Sequence, residues 1–254
     1  MLSYERKDDV PGEIEKISSF YKKDLRKEIE RLGLEWEVVF FENPKLSTCE
    51  CSSHPEEKKH FVSIDKYTMR EYKGRRGHLL HELCHLHLAE KIDACFSCLI
   101  LQEGQEFTEQ DLETMFICWI PIDIWVDKIK NWFFPEETKA DYYRTKSEID
   151  EVFEKNPRAF SNAQLQIALA LFLTESYIFG KSTRMKKKIK SLPRSIQKRI
   201  REIKKILIKM YDDEMTVKNL QFYIRKFMGI WGVKNKNFCF EWSKEKKCHL
   251  AIWR

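Results

Sequence analysis

Along most of this chain apolar residues recur every three to four positions, a spacing that predicts helices. Between residues 13 and 32, Ile14, Ile17, Phe20, Tyr21, Leu25, Ile29 and Leu32 fall on one stripe, and Gly33 stands where a helix C-terminus favours glycine. The pattern then changes. Residues 35–42 (EWEVVFFE) are rich in aromatic and β-branched side chains and predict a strand, which Asn43 and Pro44 end. The polar stretch 47–59 reads as a loop, and 60–65 (HFVSID) as a second strand. A basic segment punctuated by Gly74 and Gly77 leads into 77–89, where Leu79, Leu80, Leu83, Leu86 and Leu88 make a helix apolar on most of its circumference. Such a helix is buried in a core.

Further on, 92–101 predicts a short apolar helix punctuated by Gly104, and Thr108-x-x-Asp111 a helix start. That helix carries Leu112, Met115, Phe116 and Trp119, is expected to kink at Pro121, resumes over 122–129 and is broken at Pro135. Residues 141–154 are polar and read as helix or linker. Asn156-Pro157 marks an expected boundary between a first domain, 1–155, and a helical, basic second domain, 156–254. Ser161-x-x-Gln164 is a capping box before the apolar run 165–179. After a very basic stretch, Ile196, Ile200, Ile203, Leu207 and Met210 give one apolar face to another helix. The tail, 238–254, alternates aromatics with charges and reads as a terminal hairpin. The fold class expected is α+β, mostly helical.

Composition changes this picture little. The chain has 254 residues and a net charge of +6, and 34% of its residues are charged, against roughly 25% in ordinary domains. An excess of Lys, Glu and Arg resembles proteins of hot environments, and a Lys-rich proteome gives the same signature. Residues 1–9 carry no apolar run of the kind a secretory leader needs. The longest apolar stretch, 165–179, contains Gln166 and Glu175 and is too short for a membrane span. The expectation is a cytoplasmic protein with no membrane partner and with its eight cysteines reduced. Cys49-x-Cys51, Cys95-x-x-Cys98 and Cys248-His249 lack the paired knuckles of a zinc ribbon, and Cys84 reads as packing.

The chemistry concentrates in one turn of the 77–89 helix, His81-Glu82-Leu83-Cys84-His85, the pattern H-E-x-x-H. Two histidines four apart project from one helical face and can bind one metal ion. The glutamate after the first can take a proton from a metal-bound water. The plain alternative is a core helix with hydrogen-bonded histidines. Catalytic zinc takes three protein ligands, so one more is required. Asp123 and Asp127, four apart among Ile120, Ile122, Ile124, Trp125 and Val126, are the leading pair: one to bind the metal, the other to accept the second ring N–H of a ligand histidine. A surface helix with both aspartates paired to lysines is the other reading. Glu136, Glu137 and Asp141 are weaker candidates.

The order helix, strand, strand, H-E-x-x-H helix, then a helix with an acidic ligand resembles the zincin metallopeptidases, and within them the small gluzincin-type peptidases. The resemblance covers roughly residues 13–130, and its sharp part is His81, Glu82 and His85. It implies Asp123 as the third ligand and Asp127 as the carboxylate that orients a ligand histidine. The chain departs from the pattern in having Asp where Glu is usual. The resemblance implies one Zn2+ per chain and a peptide or protein substrate, with Glu82 as general base acting on zinc-bound water and the strand at 60–65 holding an extended peptide. His78, Tyr142, Tyr143 and Arg144 are the candidates for stabilising the oxyanion, while His87 faces away.

One further cluster stands apart. Residues 181–209 hold thirteen basic residues against a single acid, Glu202, and Lys186, Lys187, Lys188, Lys198 and Arg199 are the expected contacts if this segment binds nucleic acid. The alternative for that segment is the solvated face of a packed helix. For the whole chain, the alternative to a peptidase is a helical regulatory or nucleic-acid-binding protein whose H-E-x-x-H does no chemistry.

Overall fold

The computed structural model describes residues 19–43, 45–46, 49–65, 67–68, 72–97, 109–178, 185–232 and 238–252. Ile14, Ile17, Pro44, Cys98, Gly104, Thr108 and positions 181–184 of the basic segment, which entered the reading above, lie outside them. The architecture is α+β and mostly helical, with a small sheet.

The first helix, α1, spans Ser19–Leu32. Gly33 ends it at φ 64°, with Gly33 N–H donating to Glu30 O and Leu34 N–H to Ile29 O. These two bonds satisfy carbonyls the helix end leaves free, and only glycine takes that φ without strain. Three strands follow: β1 (Glu37–Asn43), β2 (Glu50–His54) and β3 (Lys59–Asp65). β3 is central, parallel to β1 and antiparallel to β2.

β2 corrects the expected loop at 47–59. Its sequence, ECSSH, carries no hydrophobic alternation, because it is an edge strand whose inward groups are small or polar. Ser53 Oγ meets His60 Nδ1 at 2.8 Å, and His54 packs edge-on against Phe61. Lys58, at φ 53°, turns the chain from β2 into β3.

The helix α2 spans Tyr72–Lys91, and Leu79, Leu80, Leu83, Leu86 and Leu88 are buried as their pattern requires. A 3₁₀ turn, Ala94–Phe96, stands early in the helix expected over 92–101, with the Cys95 amide held by the Asp93 carboxylate, and residues 98–101 of that expected helix lie outside the described residues. The next helix, α3 (Glu109–Phe133), runs through Pro121. Phe134, fully buried, is the single residue between α3 and α4 (Pro135–Lys155). Pro135 therefore opens a helix at the position where its fixed φ is favourable. α4 also settles the polar stretch 141–154 as helix, because Thr138, Tyr142, Ile149 and Phe153 give it a buried stripe at helical spacing.

A 3₁₀ turn, Pro157–Ser161, precedes α5 (Ala163–Ile178). The expected cap moves by one residue: the Asn162 side chain accepts the Leu165 amide, and Ser161 lies in the turn. Then come α6 (Met185–Lys190), α7 (Arg194–Asp212) and α8 (Val217–Ile230), the last capped by Thr216 Oγ1 accepting the Asn219 amide. The tail forms the expected hairpin, β4 (Cys239–Ser243) antiparallel to β5 (Cys248–Ile252).

The core is one continuous cluster with members on both sides of Asn156. α3 is its axis, packing on α2, α4, α7 and α8. Trp125, fully buried, donates its indole N–H to Met210 O at 2.7 Å and meets the rings of Phe96 and Tyr223. No helix among the described residues is long and apolar enough to cross a membrane.

Candidate metal centre

α2 carries His81 and His85 one turn apart, and α3 carries Asp123 and Asp127 one turn apart, so the facing stripes of two packed helices meet. His81 Nε2 lies 3.2 Å from His85 Nε2. Asp123 Oδ1 lies 3.6 Å from the first and 3.4 Å from the second. The outer nitrogens are held as well: His81 Nδ1 stands 3.2 Å from Asp127 Oδ1, and His85 Nδ1 stands 2.7 Å from Phe96 O. A carbonyl can only accept, so His85 donates from Nδ1 and offers a lone pair at Nε2. The same tautomer of His81 donates to Asp127.

Two imidazole lone pairs and a carboxylate oxygen then converge, an arrangement that a cation among them would satisfy. A metal fits by size. Zinc sits about 2.0–2.1 Å from nitrogen and about 2.0–2.2 Å from carboxylate oxygen, so two ligands in a tetrahedron lie roughly 3.3–3.5 Å apart. The triangle here has sides of 3.2, 3.4 and 3.6 Å. Three such donors around one tetrahedral ion would leave one position open, as catalytic zinc requires. Without a metal, a proton supplies the charge. Burial opposes ionisation of His81, but hydrogen bonds and charges from Asp123 and Asp127 outweigh it and raise its pKa to about 10. Burial likewise opposes ionisation of Asp123, and its two histidine partners hold its pKa down to about 2. Among the described residues, His81, His85 and Asp123 are the one group of three side chains placed to share an ion.

Glu82, next to His81 in sequence, is near enough to β2 for its charge to be felt there. Its charge, after burial, raises the pKa of Glu50 and contributes to that of Cys49. Cys84, inside the motif, is fully buried in the core and does not belong to the group of side chains placed to share an ion, and burial pushes its thiol pKa up.

Behind the aspartates lies a charged interior. Lys130, 4% exposed, pairs with Asp141, which also binds Arg144. Arg144 Nη2 donates to His78 Nε2 at 2.9 Å. Asp141 presses on the α2 backbone at Gly77, where a Cβ would collide with its carboxylate. Tyr142 OH is taken by Ser176 Oγ at 2.9 Å, and Tyr143 is exposed. Of the four oxyanion candidates, His78 and Arg144 are thus brought together, while Tyr142 is turned into the α4–α5 packing. Glu136 and Glu137 pair with Lys139 and Arg76, apart from the triangle. His87 Nδ1 donates to Leu32 O, a packing role.

Some partners of the site had no sequence signal. The Phe96 carbonyl is backbone, and nothing in the residue type announces it. The turn that presents it is fixed by Asp93, whose carboxylate receives Cys95 N–H, His249 N–H and His249 Nδ1. The row Ser53, His60 and Glu90 has the composition of a hydrolytic relay, yet it is buried. Glu90 also accepts the amides of Glu35 and Trp36, so the row ties α2 to the sheet.

The basic residues are distributed unevenly. Lys187 is exposed, and the Lys186 side chain is outside the described set. Lys188 pairs with Asp150 at 2.7 Å and Glu154 at 3.7 Å. Lys198 is 76% exposed, whereas Arg199 is half-buried, donating to Gln166 at 3.3 Å and lying over Trp231.

No family model matches the chain, and no curated protein and no solved structure matches it either.

Proposed function

We propose that this chain is a zinc-dependent metallopeptidase, with His81, His85 and Asp123 holding one zinc ion. The observation that carries the reading is the triangle of two Nε2 atoms and one carboxylate oxygen, 3.2–3.6 Å on a side, with both outer ring nitrogens anchored. When bound there, zinc supplies a Lewis acid with one open position. Glu82 takes the proton from the water that attacks the peptide carbonyl and returns it to the leaving amine as the C–N bond breaks. Asp127 and the Phe96 carbonyl keep the two imidazoles in the ligating tautomer.

The place of the substrate differs from the sequence expectation. β3 cannot accept an added strand, because β1 and β2 occupy both its edges. β2 has an outer edge without a strand partner among the described residues and lies against α2, and its Glu50 feels the charge of Glu82. An extended peptide added antiparallel to β2 would be held by its main chain, with the scissile bond carried towards Glu82.

The test is metal content by elemental mass spectrometry beside hydrolysis of a quenched fluorescent peptide library. About one zinc per chain, lost in His85→Ala, is expected. Glu82→Gln should keep the metal and lose hydrolysis. Protein that takes up no zinc after reconstitution would end this reading, and turnover that survives Glu82→Gln would remove the general-base role.

A further inference from the structure

We propose that the outward face of α7, with the rings of Tyr177 and Phe222 beside it, binds single-stranded nucleic acid. This surface is remote in chemistry from the metal centre, and the proposal stands whether or not the chain is a peptidase.

α7 has two faces of opposite character. Ile200, Ile203, Leu207 and Met210 are buried, so its apolar side is consumed by the core and none is left to enter a lipid surface. On the other side Arg194, Lys198, Arg201, Lys205 and Lys209 follow one another at spacings of four, three, four and four, which places them in a single row. All five are exposed. At about 1.5 Å per residue the row is roughly 22 Å long, with a cation every 4.5–6 Å or so, close enough to track a phosphate backbone. Within it the sole acid is Glu202, which reaches Lys198 at 3.9 Å, and Asp212 stands beyond the last cation.

Two exposed rings flank this row. Tyr177, at the end of α5, is 62% exposed and has Lys204 Nζ 5.2 Å from its ring centroid. Phe222, on α8, is 45% exposed and has Lys209 Nζ at 5.9 Å and Lys226 Nζ at 5.2 Å. Cations that follow a backbone and aromatic faces on which bases stack are the two components of single-strand recognition. A duplex keeps its base faces inside the stack, and an acidic polypeptide uses the cations but leaves the rings without a role. The single strand is therefore the partner that engages both.

The experiment is fluorescence anisotropy of a labelled oligothymidylate of about 20 nucleotides with the full chain, between roughly 50 and 300 mM salt. Binding should weaken with salt at a log–log slope of about 3–4, as five neutralised phosphates of a single strand require. The triple variant Lys198→Glu, Arg201→Glu, Lys205→Glu should bind at least tenfold more weakly and with a shallower slope. Tyr177→Ala with Phe222→Ala should weaken binding about tenfold at unchanged slope. All five positions are exposed, so the variants are expected to fold, which circular dichroism would check. Wild-type affinity in the triple variant would overturn the proposal. A duplex bound as tightly as the single strand, or equal competition by polyglutamate at matched charge, would overturn it in favour of a duplex or an acidic protein.

Discussion

The carboxylate of Asp93 receives both the backbone N–H of His249, at 3.1 Å, and its ring Nδ1, at 2.6 Å, so the last strand of the chain is fastened to the turn whose carbonyl holds His85. Asp93 also accepts Cys95 N–H in that turn. Removing it frees the turn at both ends. Asp93→Ala is expected to weaken zinc binding by about tenfold, the lower range for partners that orient metal ligands. Competition with a chromophoric chelator measures this, and unchanged affinity would show that the Phe96 carbonyl keeps its place without the clamp.

Asp123 and Asp127 should separate by magnitude. Asp123→Ala removes a ligand and should abolish stoichiometric zinc binding. Asp127→Asn keeps the shape but reverses a hydrogen-bond preference at His81 Nδ1, and should cost about 10–100-fold in affinity. The opposite ranking would make Asp127 the ligand, the alternative that the spacing of the two aspartates leaves open.

Metal binding should release a proton. Metal-free His81, raised to about 10, is protonated at neutral pH, and a ligating imidazole is not. Zinc affinity should therefore rise with pH from about 6 towards 10. The same charge stabilises the metal-free fold: the contribution is complete below the unfolded value of 6.5 and is lost as pH rises through about 10. Calorimetry in buffers of different ionisation enthalpy counts the protons, and uptake without release would mean that metal-free His81 is already neutral and that its pKa is not raised.

Glu175 supplies a second pH dependence. Burial, then the charge of Asp127, raises its pKa from 4.5 to about 8, and Lys130 only partly offsets them. Its folded-state value lies above its unfolded one, so the stability it contributes is complete below pH 4.5 and is lost as pH climbs through about 8. Glu175→Gln should flatten the stability–pH curve across that window in urea titrations. A curve as steep as that of the parent chain would assign the slope to other groups.

Gly77→Ala tests how tightly α4 sits on α2. The added methyl meets the Asp141 carboxylate, which Lys130 and Arg144 hold from the other side. Overpacking of this kind costs about 1–3 kcal/mol, and the melting temperature should fall accordingly. A silent substitution would mean that Asp141 swings away freely.

What could be read from the sequence followed from hydrophobic contrast. The leucines of α2, the aromatic run of β1 and the isoleucines of α7 each declare a buried face by spacing alone. β2 declares nothing, because its role rests on Ser53 bonding His60 and not on burial of hydrocarbon. The histidines and aspartates were visible because each pair is four apart, a separation that puts two side chains on the same side of a helix. The clamp between Asp93 and His249 was not, since it joins residues 156 positions apart, and no local pattern encodes a partner at that distance.

The bond from Trp125 to Met210 has a consequence for the order of synthesis. The histidines leave the ribosome some forty residues before the two aspartates, but α3 finds its final seat only when α7 and α8 are there to receive Trp125 and its neighbours. The Asp93 clamp waits longer still, for His249, 156 positions after it. A nascent chain thus carries both histidines without the geometry that makes them a pair of ligands. Competence arrives only after α7 and α8 have been made, and a fragment stopped short of α7 should carry the motif and not the site.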